Sequence, residues 1–257
     1  MVDLSKPWPL GLNESRWWQA VAVAVLIEAI CLVYDRQLSL AAQSLPAVIR
    51  TTIAEITPYG ESDWILYPSG ALLIITALLA RFHPWPLMRT ILKEFRGLWA
   101  FIFLGVGVPS LVSTIVKRVV GRPRPVRFDT DGLFGLHPNW LDWTHQSWPS
   151  GHATTAFALA ACVGFISERW FYPSLALAAV IGLSRLTGGY HYPSDVFAGA
   201  VLGIVGAYAV RLFFGRRGWL FMLRPDGHVV MRPMSGLRRY LSIKRRGIAP
   251  KPQPDRS

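Results

Sequence analysis

Hydrophobic residues along this chain gather into six long runs separated by short polar or aromatic segments. Trp17–Val33 is the first, interrupted by Glu28; Trp64–Ala80 is the second; Leu98–Val116, which contains Pro109, is the third. A fourth begins near Ala153 and fades at Glu168–Arg169, a fifth covers Phe171–Leu186, and a sixth runs from Val196 to Phe214. A helix that crosses a bilayer needs about 20 mostly apolar residues, and with their flanks the six runs reach that length. The pattern predicts an all-α, polytopic membrane protein with six transmembrane helices. Between the first two runs, Leu38, Ala42, Leu45, Ile49, Ile53 and Ile56 recur every three or four residues, the stripe of an additional helix. That helix either lies on the outer membrane surface or packs against the bundle. The chain thus divides into an N-terminal segment (1–16), a membrane domain (17–214) and a tail (215–257). Within the tail, Leu220–Leu223 and Val229–Met231 flank Arg-Pro-Asp-Gly and predict a small hairpin.

Composition agrees with a membrane protein: of 257 residues 52% are apolar and 16% charged, with 11 Trp. The net charge of +12 is a property of the tail, because Arg211–Ser257 holds twelve Lys/Arg against Asp226 and Asp255. A chain whose excess charge sits at one end, rather than in a basic groove, is not expected to bind nucleic acid. Arg238-Arg239 and Lys244-Arg245-Arg246 either meet anionic lipid headgroups or serve only as a topogenic signal. The Ala80–Leu98 connection carries Arg81, Arg89, Lys93 and Arg96, and the fourth-to-fifth turn carries Arg169. If the helices alternate, these segments and the tail share one side, which the positive-inside rule makes cytoplasmic. Both termini are then cytoplasmic in a bacterial-type inner membrane, and the first run is a retained anchor rather than a cleaved signal. The outward segment Lys117–Pro149 breaks the rule with five basic residues near its start. Cys31 and Cys162 lie in apolar runs and read as small buried residues, so no disulfide, metal or other cofactor is expected. His83, His137, His145 and His228 read as interfacial or loop histidines.

The exception in charge coincides with three polar clusters, all at the outward helix ends. The first is Lys117-Arg-Val-Val-Gly-Arg-Pro-Arg124-Pro125; the second is Pro149-Ser150-Gly151-His152; the third is Ser184-Arg185 followed by His191 and Asp195. Lys117, Arg124 and Arg185 supply cations matched to phosphate oxygens. Ser150 and Gly151 open a helix, where free N–H groups favour an anion. His191 and Asp195 are four apart, a spacing that lets a carboxylate fix the imidazole tautomer and free the other nitrogen to attack. His152 is placed to donate a proton to a departing oxygen. Helix-end cations can equally be membrane anchors, and a His–Asp pair can be structural; joint placement on one side favours an anion site. A transporter or channel with a basic anion site is the alternative, with Glu28 as a candidate path residue. No inverted halves are visible, and transport has no need of the His191–Asp195 couple.

Lys-x6-Arg-Pro, Pro-Ser-Gly-His and Ser-Arg-x5-His-x3-Asp, in this order, resemble the signature of the type 2 phosphatidic acid phosphatase superfamily. That family includes membrane lipid phosphatases, bacterial acid phosphatases and vanadium haloperoxidases. The resemblance implies a metal-independent phosphatase in which His191 forms a phosphohistidine, Asp195 holds it, and His152 protonates the leaving oxygen. Lys117, Arg124, Ser150, Gly151 and Arg185 would bind the phosphate; Arg118, Arg122 and Arg127, which the signature does not name, read as supporting or headgroup contacts. Six apolar runs point to a lipid substrate, and Phe128, Phe134, Trp140, Trp143 and Trp148 suit the membrane interface. Undecaprenyl diphosphate, phosphatidylglycerol phosphate, phosphatidic acid and lipid A phosphates are all candidate substrates at this point.

Overall fold

The computed structural model describes residues 2–9, 12 and 16–245. The first apolar run becomes helix α1, Trp17–Gln43, which continues well past Val33. Asp35 and Arg36, which lie beyond the first apolar run, are therefore helical, and Asp35 is fully buried. Pro46 allows no continuous helix here, because its ring cannot follow α1 without losing an N–H donor. The predicted stripe is split accordingly: Leu38 and Ala42 end α1, while Ile49 and Ile53 belong to the short helix α2, Ala47–Ala54. Helix α2 packs on α7 (Phe171–Thr187), and Ile56 beyond it joins the buried Ala156, Ala178 and Ile181.

Helices α3 (Asp63–Phe82) and α4 (Pro86–Val120) absorb most of the basic connection between them, leaving His83–Trp85 as the link. A single turn, α5 (Phe128–Asp131), lies in the long segment that leads to α6 (Gly151–Ile166), and α8 spans Pro193–Arg217. Among the described residues four helices, α1, α3, α4 and α8, are long and apolar enough to cross a membrane. Helices α6 and α7 have 16 and 17 residues, roughly 25 Å of helix against a hydrocarbon core of about 30 Å.

Helix α6 sits at the centre, packed on α4, α7 and α8. Its sequence is rich in alanine, and small residues let helix backbones approach without an aqueous driving force. Gly203 of α8 marks the closest approach to it. A β-carbon there would fall against the Thr154 carbonyl oxygen and 2.9 Å from the Ala158 nitrogen, both backbone atoms that cannot rotate away. Gly203→Ala is expected to destabilise the protein by about 1–3 kcal/mol, seen as a lower thermal midpoint in detergent.

The tail is more structured than a solvated basic end. Strands β1 (Phe221–Leu223) and β2 (Val229–Met231) form the predicted antiparallel hairpin, the exception in an otherwise helical chain. Helix α9 (Ser235–Arg245) follows, its start capped by the Glu94 carboxylate of α4, which accepts from Gly236 N at 2.8 Å and Leu237 N at 3.1 Å. Arg211, counted with the tail charge, is buried in α8 and donates to the carbonyls of Leu4 and Lys6. Ser5 O accepts from Val229 N at 2.7 Å, so the N-terminal segment lies against the hairpin. Arg246 and the rest of the tail fall outside the described residues. Cys162 is buried and Cys31 half-buried, and both are free thiols.

Candidate active site

Helix α4 stops where its sequence makes it stop. Gly121 adopts the left-handed conformation (φ 63°) and donates to Lys117 O at 3.0 Å, a glycine-dependent helix end. Lys117 is thereby on the last turn and Arg124 immediately beyond it. The same turn brings the chain back across the site, with Gly121 O accepting from His137 N and Arg124 N donating to Thr144 O, both at 2.8 Å. The returning segment ends at Ser150, the N-cap of α6, whose Oγ accepts from Ala153 N at 3.5 Å. Ser150 N donates to Asp195 O at 2.9 Å, which joins the second cluster to the third. Among the described residues, that leaves the N–H groups of Gly151 and His152 as the open donors of this helix start.

Lys117 lies directly over that opening: a β-carbon at Gly151 would sit 2.9 Å from Lys117 Nζ. Gly151 is thus the residue whose missing side chain lets an ammonium stand beside open backbone donors. Arg185, on the last turn of α7, is 6% exposed and rests on the Tyr190 ring at 4.3 Å. Its carbonyl accepts from His191 N at 3.2 Å, which fixes the turn that carries the histidine. The charges of Lys117, Arg124 and Arg185 bear on one another, and all three bear on His152. None of the three forms an ion pair among the described residues. The buried Nε atoms of Arg124 and Arg185 also lack a partner. Packing unpaired cations together costs free energy, and an oxyanion with several oxygens is the group that removes the cost.

His191 is 2% exposed, with Nδ1 3.5 Å from Asp195 Oδ2. That is ion-pair range without an aligned hydrogen bond, and Nδ1 has no other partner. Burial pushes the His191 imidazole down to about 4, more than Asp195 raises it, so the ring is neutral near pH 7. His152 is the second residue of α6, where the charges of Arg185, Lys117 and Arg124 all bear on its ring. A neutral imidazole with an adjacent carboxylate, a second imidazole and a group of unpaired cations form a set suited to phosphoryl transfer.

Sequence reasoning named Arg122 only as a supporting or headgroup contact and missed Asp35 and Ser147 behind Asp195. Arg122 is buried and donates to Asp195 Oδ1 and Asp35 Oδ2, each at 2.7 Å; Ser147 Oγ donates to Asp195 Oδ2 at 2.5 Å. Arg122 had a visible signal, a second arginine inside Gly-Arg-Pro-Arg-Pro, whereas Asp35 had none. Glu28 Oε1 accepts from Trp148 Nε1 at 2.8 Å, so this carboxylate ties α1 to the segment before Ser150. His145 lies in the connecting segment before α6 and is buried there, 2.9 Å from Asp142 Oδ2 and 3.2 Å from Asp131 Oδ2. Trp140 and Trp143 are exposed and carry the guanidinium groups of Arg118 and Arg124 on their rings, at 5.5 and 5.0 Å. With exposed Phe134, Leu136 and Leu141 they form an apolar rim beside the cradle.

Comparison with known proteins matches this arrangement. Residues 98–219 fit the PAP2 superfamily, a span that encloses all three polar clusters. A lipid A 1-phosphatase of Rhizobium johnstonii is 31% identical over 237 residues, covering 88% of this chain and 93% of that protein. An undecaprenyl-diphosphatase of Bacillus subtilis is 30% identical over 133 residues, covering 51% of this chain and 63% of its own. The crystal structure of a PAP2-type phosphatidylglycerolphosphate phosphatase from Bacillus subtilis aligns with a TM-score of 0.48 at 21% identity, covering 76% of this chain and 96% of that one. The nearly full-length relative and the match across all three clusters place this chain in the PAP2 superfamily.

Proposed function

We propose that this protein is an integral membrane phosphatase that hydrolyses a lipid phosphate through a phosphohistidine at His191, without a metal ion. The observation that carries the reading is the set of three cations, Lys117, Arg124 and Arg185, unpaired around the His191–Asp195 couple. Their charge does for the equatorial phosphate oxygens what a divalent cation does elsewhere. His191 Nε2 attacks phosphorus while Asp195 stabilises the ring as it becomes positive. His152 gives its proton to the departing oxygen, then takes one from the water that cleaves the phosphohistidine. Open N–H groups at Gly151 and His152 hold an equatorial oxygen.

Among lipid phosphates, a lipid A-type sugar 1-phosphate is the leading substrate. Two relatives that cover 88% and 82% of this chain, at 31% and 30% identity, are both lipid A 1-phosphatases. The exposed rim of Trp140, Leu141 and Trp143 suits a headgroup that stays at the membrane surface while its acyl chains remain in the bilayer. We place the site on the periplasmic side, with both termini cytoplasmic. In that arrangement α6 and α7 complete a six-span bundle, crossing the membrane with their flanking turns.

The test is phosphate release by detergent-purified protein from a panel of lipid mono- and diphosphates in excess EDTA. Release from lipid A 1-phosphate ahead of phosphatidic acid, phosphatidylglycerol phosphate and undecaprenyl diphosphate is expected. Release abolished by EDTA would overturn the metal-free mechanism. Equal turnover of soluble sugar phosphates would overturn the lipid assignment.

A further inference from the structure

Asp195 is held by far more than its histidine. One carboxylate oxygen, Oδ1, accepts from Arg122 Nη1 at 2.7 Å; the other, Oδ2, accepts from Ser147 Oγ at 2.5 Å and Tyr192 N at 2.7 Å. The second prong of Arg122 does not go to Asp195. Nη2 donates instead to Asp35 Oδ2 at 2.7 Å, a residue of α1 and 87 positions before Arg122 in sequence. Ser194 closes the group: its N donates to Asp35 Oδ1 at 2.9 Å, its Oγ donates to Asp35 Oδ2 at 2.6 Å, and it receives Arg122 Nη1 at 2.7 Å. Asp35, Ser147, Ser194 and Asp195 are fully buried, and Arg122 is 3% exposed.

A lone salt bridge to Asp195 would need one guanidinium and no second acid. Burying a further carboxylate is costly unless it is paired, and here it divides one cation between two anions. The trio of Asp35, Arg122 and Asp195 therefore keeps one net negative charge. We propose that Arg122 and Asp35 are positioning residues that fix the Asp195 carboxylate and preserve the negative charge it presents to His191. Were Arg122 matched to Asp195 alone, that charge would be cancelled just where the phosphohistidine ring turns positive. The same contacts make docking of α1 a condition for an ordered Asp195. The inference rests on the phosphohistidine reading and adds Asp35, outside the three signature motifs, and Arg122, at a position the first motif leaves variable.

The test uses the full chain in detergent with three variants: Asp35→Asn, Arg122→Gln and the double substitution. Their trios carry net charges of 0, −2 and −1, the last as in wild type. Asp35→Asn is expected to lower kcat by about 10–100-fold with KM changed less than about threefold, because the phosphate cradle is untouched. The double variant is expected to recover at least about tenfold in kcat over Arg122→Gln, a coupling that independent structural losses would not give. Unchanged kcat in Asp35→Asn, a loss confined to KM, or additive losses in the double variant would overturn the proposal.

Ser194→Ala keeps all charges and removes the hydroxyl that links Asp35 to Arg122, so it serves if Asp35→Asn does not fold. It is expected to lower kcat by about three- to tenfold, a loss smaller than that of a charge change, and an unchanged kcat would count against the proposal. Binding of inorganic orthovanadate, which bonds to an attacking histidine nitrogen, separates this inference from the phosphatase reading. Vanadate held by wild type and weakened about tenfold in Asp35→Asn upholds the positioning role even if no lipid is turned over. Wild-type turnover with unaltered kcat and vanadate affinity in Asp35→Asn removes it and leaves the phosphatase reading intact.

Discussion

Replacing His191 with alanine is expected to lower kcat for lipid phosphate hydrolysis on the order of 10⁴-fold or more, as loss of a nucleophile does. The residue sits 2% exposed beside Asp195, with its Nδ1 free of any other partner. No neighbouring side chain can substitute, because His152 reaches the cradle from a different helix start and serves the leaving oxygen on the proposed mechanism. The pH profile of the free enzyme gives an independent check. His191 is pushed down to about 4 by burial, so the reactive neutral ring is present above that value and lost as pH falls through it. An acid limb of kcat/KM near pH 4 is expected, and a limb near the ordinary histidine range of about 6.5 would contradict the buried setting. Trapping of radiolabelled phosphate on wild type but not on His191→Ala completes the measurement.

The second large effect is one of opposite signs. Arg185→Met is expected to cost about 10²–10³-fold in kcat/KM, the magnitude of losing one preorganised charge donor. The same substitution is expected to stabilise the free protein. Arg185 is 6% exposed, feels the repulsion of Arg124, has a buried Nε without a partner, and rests only on the Tyr190 ring. A cation stack of this kind returns roughly 0.5–2 kcal/mol, less than an unpaired buried cation costs, and methionine fills the space without charge. A rise of a few degrees in thermal midpoint is expected, about 2–4 °C for each ~1 kcal/mol. Added vanadate is expected to raise the midpoint of wild type and not that of Arg185→Met. A lower midpoint in the ligand-free variant would show that Arg185 is structural rather than an anion site held in strain. Function and stability pull apart here because the cradle is built for a charge the protein itself does not contain.

Much of this was legible along the chain, and for identifiable reasons. Helix existence follows from apolar run length, so each of the six runs from Trp17 to Phe214 appears as a helix. Lys117, Arg124, Ser150, Gly151, His152, Arg185, His191 and Asp195 could be named because each lies at a helix end, and alternation of helices sends those ends to one side. The hairpin at Phe221–Leu223 and Val229–Met231 followed from its Pro-Asp-Gly turn between two apolar segments. Helix boundaries were less legible. Neither the extension of α1 to Gln43 nor the start of α4 at Pro86 shows in hydrophobicity, since polar residues such as Asp35 and Lys93 fit a helix when packing or an aqueous flank accepts them.

By itself the sequence determined the elements and placed the three polar clusters at helix ends, because these depend on local periodicity and on charge. Only the tertiary structure decided what lies behind the site. Asp35 and Arg122 are 87 residues apart, and nothing near either predicts a 2.7 Å contact. Likewise Glu28 meets Trp148, and Arg211 reaches the carbonyls of Leu4 and Lys6. A buried charge takes whichever partner the packing of helices delivers, and that partner is set by where separate helices meet rather than by any spacing along one of them.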